Sequence, residues 1–415
     1  MPHPLRGKSC SELRVRLTCG RNPDYLVDLF TFHVKLMSLV LASLRIFFIK
    51  MKDNNKLYSI QAMRGIAALL VVLFHSRVYL NNVYSQSNLG DLLFSFGYLG
   101  VDLFFIISGF IITHATYNKT QDSGFKYISK RLFRIYPAYI VALALLCVMR
   151  GLDFSSFQLT GGYTLENIIK SLFFIPLNFD AQGPYYGYSL LIVAWTLTYE
   201  VIFYAIFFIG MSINHRFRAA ITSVLIISCY IITCIVNKNF ELDPRHYTYN
   251  IKFIEIVANP IMLNFVLGMV AYYIFNKSIK IKHKTILPAS YITLSISILL
   301  LASGKFTGHG INKFGIISFL GFMSIVFMIE SSNTQIHKWL LFLGNISYSL
   351  YLSHVVIILS LEKYKTSFPL IGETEGFSKV IGILIYSLIL SSLMFYFVEK
   401  PSTKILRKYY TDKAA

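Results

Sequence analysis

"MRGIAALLVVLFHS", residues 63–76, reads as the interior of an apolar helix that carries two ionisable side chains, Arg64 near its start and His75 near its end. Eleven residues at about 100° each bring the two back to within about 20° of one direction, roughly 16 Å apart along the axis. A guanidinium and an imidazole therefore share one stripe of one helix. Burying either without a partner is costly, so ionisable groups inside apolar helices are functional candidates. Taken alone, the pair also fits a bland role, with Arg64 snorkelling to headgroups and His75 capping a neighbouring carbonyl.

The segment has many counterparts. The chain has 415 residues and is 55% hydrophobic, 16% aromatic and only 14% charged, where a soluble domain carries about a quarter charged residues. Apolar runs of about 18 or more residues recur along its length. Lipid offers backbone groups no water, so each span must satisfy its own hydrogen bonds as a helix. The expectation is an all-α polytopic membrane bundle of about ten transmembrane helices, near 60–80, 92–117, 132–150, 188–211, 217–236, 256–275, 286–303, 313–330, 339–361 and 377–398. The roughly 10-residue alternating strands of an outer-membrane barrel do not occur in the sequence.

Charge sets the expected orientation. A net charge of +19 would suggest nucleic acid in a soluble protein, but in a membrane protein it marks the cytoplasmic loops. Loops 118–131, 212–216 and 276–285 and the tail after residue 398 are basic, whereas 81–91 has no Lys or Arg and 151–187 has only Lys170. This places the chain in the cytoplasmic membrane with both termini of the bundle inside, the lipid bilayer as partner and no nucleic acid. Residues 1–50 break the pattern: Asp28, His33, Lys35 and Arg45 interrupt their apolar stretch, and five basic residues precede it. They read as an N-terminal extension outside the functional chain, with the membrane domain at 51–410 and a tail at 411–415. The five cysteines have no redox or metal-ligand spacing, and no metal is expected.

Further ionisable residues sit in other spans. "GYLGVDLFFIISGFII" (97–112) carries Asp102, with Gly100 and Gly109 allowing close helix approach. "AWTLTYEVIFY" (194–204) carries Glu200 behind Trp195, and "GNISYSLYLSH" (344–354) sets Ser347, Tyr351 and His354 on one face. His75, Asp102, Glu200 and His354 fall at similar depths, which suggests one shared polar cavity. There a carboxylate, Asp102 or Glu200, would orient His75 as a general base. Buried pairs that merely lock the bundle are the plain alternative. "KYISKRLFRIYP" (126–137) places Arg131 and Arg134 on one helix face. Two guanidiniums there can grip phosphate oxygens, or serve as an ordinary positive-inside anchor.

Taken together, "IQAMRGIAALLVVLFHS", "GVDLFFIISGFII", "SKRLFRIYP", "WTLTYEVIFY", "ISYSLYLSH" and "FVEKP" resemble, in order, the acyltransferase 3 family of integral-membrane acyltransferases. The likeness spans about residues 57–410, and its look is that of the exopolysaccharide (succinoglycan-type) and O-antigen O-acetyltransferases. Each motif is loose; six in order are specific. The resemblance implies transfer of an acetyl or other acyl group from cytosolic acetyl-CoA (acyl-CoA) to a hydroxyl of a polysaccharide or lipid-linked glycan. It implicates Arg64, His75, Arg131 and Arg134, while Thr196 stands where serine is commoner. Many relatives carry a fused extracytoplasmic domain; none is expected here, so the bundle is expected to work alone or with a separate extracytoplasmic partner protein.

On this reading Arg131, Arg134 and Arg64 would hold the donor, His75, Asp102, Glu200 and His354 would form the catalytic set, and Ser347, Tyr351 and Trp195 would contact substrate. His75 could act as a base or as an acyl carrier. A transporter or flippase for a polysaccharide precursor would also bury charge at mid-depth, but two repeated halves with Gly/Pro breaks are not found in the sequence.

Overall fold

The computed structural model describes residues 57–117, 124–151, 163–278, 283–332, 335–367, 371 and 373–412. The expectations for residues 1–50 and for most of the tail lie outside these. The main helices are α1 (Tyr58–Ser76), α2 (Leu99–Tyr117), α3 (Gly124–Met149), α4 (Trp195–Ile213) and α5 (Arg218–Asn237). They continue as α6 (Leu263–Ser278), α7 (His283–Ala302), α8 (Ile316–Ser332), α9 (Lys338–Lys363), α10 (Gly376–Met394) and α11 (Lys400–Asp412). Short helical pieces extend several of them, and α10 runs on into α11. Ten of the resulting segments are long and apolar enough to cross a membrane. The protein is an all-α polytopic helix bundle.

The ten spans coincide with those expected from hydropathy, but two ends move. α3 starts at Gly124 rather than near 132, which puts Arg131 and Arg134 about two turns inside the helix. Lys and Arg are good helix formers, so apolarity stops where charge begins but the helix does not. For the same reason the helix at the other end continues past 398 to Asp412.

α1 lies against α2 and along α9, α2 along α6, and α9 also meets α3 and α10. Glycine lets the central helices touch. A Cβ on Gly65 of α1 would meet the backbone of Gly344 on α9, and one on Gly344 would strike the carbonyl of Gln61. Small residues at such crossings let packing and backbone contact hold helices together in lipid, where the hydrophobic effect does not. The α2 span and the Lys252–Ser278 span are the most enclosed, with 72% of their apolar windows buried, against 17% for α7. The exposed stripe Ile381, Ile385, Ile389 and Leu393 on α10 recurs every four residues, as a lipid-facing side requires.

Candidate active site

Several polar residues of the spans line two abutting cavities. One is walled by Arg64, Arg131, Arg134, Glu200, Tyr204 and Tyr348 among others. The other is walled by His75, His309, Trp195, Tyr185, Tyr188 and Arg245 among others. Val101 of α2 and Tyr351 of α9 belong to both walls. The Tyr351 hydroxyl donates to the Val193 carbonyl (2.9 Å) and lies 2.9 Å from Thr196 Oγ1, which pins this side chain where the cavities meet.

The arginine cavity is made almost wholly by helices. Arg131 and Arg134 project from one face of α3, and Arg64 comes from the second turn of α1. The Arg131 guanidinium lies 5.6 and 5.8 Å from the ring centroids of Tyr127 and Tyr204, while its buried Nε has no hydrogen-bond partner. Tyr348 of α9 donates to the Ile135 carbonyl (2.9 Å) and ties α9 to α3 beside the cavity. Among the described residues no carboxylate forms a salt bridge with Arg64, Arg131 or Arg134. Glu200 accepts from the Tyr204 hydroxyl and, at 3.4 Å, from Ser108. Glu399 of the "FVEKP" stretch accepts from Ser349 (3.0 Å), and its charge, with those of Glu200 and Arg134, acts on Arg64. Three guanidiniums against the single lining carboxylate Glu200 leave this wall two charges positive. An orphaned buried Nε in such a wall fits an anionic guest with several acceptor oxygens.

The histidine cavity assigns its tautomers through a short chain of contacts. His354 Nδ1 lies 3.1 Å from the Leu350 carbonyl and must carry hydrogen there, so its Nε2 is an acceptor. His75 Nδ1 lies 3.0 Å from the Val71 carbonyl and 3.3 Å from His354 Nε2, so it donates to both. Nε2 of His75 is then the unprotonated nitrogen, available as base or nucleophile. His354 is fully buried, and the Gly65–Gly344 crossing brings its helix against α1.

This geometry corrects the expectation of one shared cavity. Glu200 lines the arginine cavity, and the partner of His75 is a second histidine rather than a carboxylate. Asp102 is buried and fully engaged elsewhere. It accepts from His309 Nδ1 (2.7 Å), Asn264 Nδ2 (2.7 Å) and the Gly310 amide (3.0 Å). Depth along the membrane is readable from sequence, but the rotation of each helix about its axis is not. Ser347 also turns away: its hydroxyl donates to the Gly344 carbonyl (2.8 Å), and it lines neither cavity. Trp195 and Tyr351 do line the histidine cavity.

Sequence reasoning missed His309, Arg245 and the tyrosines of the "GPYYGY" stretch (183–188). His309 sits between Gly308 (φ 118°) and Gly310 (φ 111°), conformations that favour glycine. Its ring meets Tyr98, Trp195 and Tyr185 at centroid distances of 5.1, 5.5 and 6.3 Å. Tyr185 and Tyr188 stack at 4.9 Å, and Tyr186 and Tyr188 both have positive φ, a strain that marks functional loops. Arg245 is tied to Asp243 (3.0 Å), which also binds Lys313. Burial alone would raise the Asp243 carboxyl, but hydrogen bonds from Arg245 and Lys313 override it and hold the group well below the usual carboxylate range. A histidine between glycines just before a span was the legible signal.

Spans that bury a cationic cavity against a histidine cavity define an integral-membrane helix bundle with a polar interior. The acyltransferase domain model matches residues 57–396, and this multi-pass chain belongs to that family, the acyltransferase 3 family. It is 31% identical over 179 residues to the exopolysaccharide production protein ExoZ of Rhizobium meliloti (strain 1021), covering 43% of this chain and 50% of ExoZ. It is 25% identical to nodulation protein 10 of Rhizobium leguminosarum bv. viciae, over 53% of this chain and 60% of that one. A Staphylococcus aureus (strain COL) protein provisionally named an O-acetyltransferase is 25% identical over 86% of this chain and 59% of its own length. The chain thus spans half to three fifths of the length of these relatives. No solved structure matches it.

Proposed function

We propose that the protein transfers an acyl group, acetyl in the simplest case, from cytosolic acyl-CoA to a hydroxyl of an exported or cell-surface glycan. The observation that carries this reading is the pair of cavities meeting at Val101 and Tyr351, one cationic and one walled by histidines and aromatic rings. The donor's phosphates would rest on Arg131 and Arg134, with its pantetheine arm passing Arg64 toward the shared wall. The thioester would then meet His75 Nε2. Rings such as Trp195, Tyr185 and Tyr188 offer flat apolar faces on which a sugar can lie. The names of the relatives, an exopolysaccharide production protein and an O-acetyltransferase, agree with a glycan acceptor and an acetyl donor.

The test is the release of free CoA thiol from acetyl-CoA by membranes containing the protein. The acceptor supplied is the lipid-linked glycan fraction extracted from cells lacking the gene. Thiol release that depends on both the protein and this fraction is the expected result; membranes that release none would end the reading. The basic loops orient the arginine cavity toward the cytoplasm. Single cysteines replacing Lys280 and Lys413 should therefore resist an impermeant maleimide applied to intact cells, and labelling of both would invert the arrangement.

A further inference from the structure

Two imidazoles line the histidine cavity, and their Nδ1 atoms are committed to unlike partners. His75 Nδ1 donates to a carbonyl and to a neutral histidine, His354. His309 Nδ1 donates to the carboxylate of Asp102 at 2.7 Å, with both side chains buried. A carboxylate behind an imidazole fixes its tautomer and stabilises the imidazolium that forms when the other nitrogen takes a proton. Asp102 cannot move off this task readily, because the Gly310 amide and Asn264 hold its other oxygen. His75 has no such counter-charge. A group bound to His75 Nε2 as a cation is held weakly there, as a carrier requires. A direct transfer needs a single base and leaves one imidazole without work; a transfer in two halves uses both.

We infer that His309, backed by Asp102, is the base that takes the proton of the acceptor hydroxyl, while His75 carries the acyl group between donor and acceptor. This division rests on the transfer reading above. In the first half, His75 Nε2 adds to the thioester carbonyl carbon and the C–S bond breaks, its electron pair leaving on sulfur. An Nε2-acyl imidazolium remains, with Nδ1–H still on the Val71 carbonyl and His354. In the second half, the acceptor oxygen adds to the acyl carbon while its proton passes to His309 Nε2. The C–N bond then breaks and its electron pair returns to His75 Nε2. The proton on His309 leaves through water to the thiolate, so one thioester and one alcohol give one ester and one thiol. The rings of Tyr98, Trp195 and Tyr185 around His309 put this base beside the aromatic wall on which the sugar would lie.

The experiment separates the two halves in the full-length protein, using acetyl-labelled acetyl-CoA and the same lipid-linked glycan fraction. His309→Asn keeps a donor toward Asp102 and lacks the base nitrogen, so the buried pair survives. It should lose glycan acetylation by about 10²- to 10⁴-fold, the usual span of general-base catalysis. It should also hold hydroxylamine-sensitive label on the protein, which the glycan no longer discharges. His75→Ala should take up no label. In His309→Gly, added imidazole should restore part of the transfer, which repair of a merely structural defect would not do. Near-wild-type transfer by His309→Asn would overturn the division, as would loss of protein labelling together with transfer. Wild-type protein that leaves acetyl-CoA untouched with the glycan fraction present would instead overturn the transfer reading, and this division with it.

Discussion

The arginine cavity and the histidine cavity touch, yet they are built from different material. The first draws its charged side chains from within spans: Arg64 from α1, Arg131 and Arg134 from α3, Glu200 from α4. The second takes His75 as its one basic side chain from the first two spans, beside Val71, Phe74, Tyr98 and Val101. Tyr185, Tyr188, Arg245, Gly308 and His309 come from the connections before α4, after α5 and after α7. A cavity of packed helices has its shape set by the bundle, whereas loops on a rigid scaffold accept change. The difference teaches that the arginine side takes its shape from helix packing, whereas the histidine side depends on how three connections fold over the bundle.

The largest effect expected is at His75. His75→Ala should abolish acyl transfer, a loss of at least about 10³-fold, in protein that still inserts and purifies. Normal glycan acetylation by that variant would remove the chemistry from the histidine cavity altogether.

The arginine cavity should respond in a different parameter. Arg131→Lys and Arg134→Lys keep the charge but lose the fork that binds two phosphate oxygens at once. A charge-assisted hydrogen bond is worth about 1.5–3 kcal/mol, so KM for acetyl-CoA should rise about 10- to 100-fold with kcat largely kept. A truncated donor without the nucleotide phosphates should be used equally by wild type and variants. Loss of kcat at unchanged KM, for both donors, would merge the two cavities into one catalytic unit.

His354 tests the support behind His75. His354→Leu removes the acceptor at Nε2, but the Val71 carbonyl still holds the His75 Nδ1 hydrogen. One neutral hydrogen bond is worth about 0.5–1.5 kcal/mol, so kcat should fall up to about 10-fold with KM for acetyl-CoA unchanged. A loss as large as that of His75→Ala would give His354 a part in the reaction itself.

The smallest effect concerns the rim of the histidine cavity. Asp243→Asn leaves Arg245 and Lys313 without their carboxylate and should cost about 1 kcal/mol of stability, read as a lower Tm in detergent at pH 7. Hydrogen bonding holds the folded-state pKa of Asp243 below its unfolded value. Its contribution is therefore fully present above the unfolded value near about 4 and is lost as pH falls toward the folded one. The Tm gap between wild type and variant should narrow as pH drops below about 4. A gap that widens in acid would assign the rim's stability to some other group.

The ten spans, and the shared stripe of Arg64 and His75, were determined by sequence alone. Hydropathy is a local property and an α-helix is rigid enough for spacing to become direction. The pairing of Arg131 with Arg134 was legible for the same reason, and the family motifs marked the order of the helices. Which carboxylate meets which histidine was decided only by the tertiary structure. Asp102 and His309 are 207 residues apart in the chain, and His75 and His354 are 279 apart. Residues that far apart meet according to helix rotation and the lateral order of the spans. Those are set by packing at crossings such as Gly65 against Gly344, where the energy belongs to two surfaces at once and to neither stretch of sequence by itself.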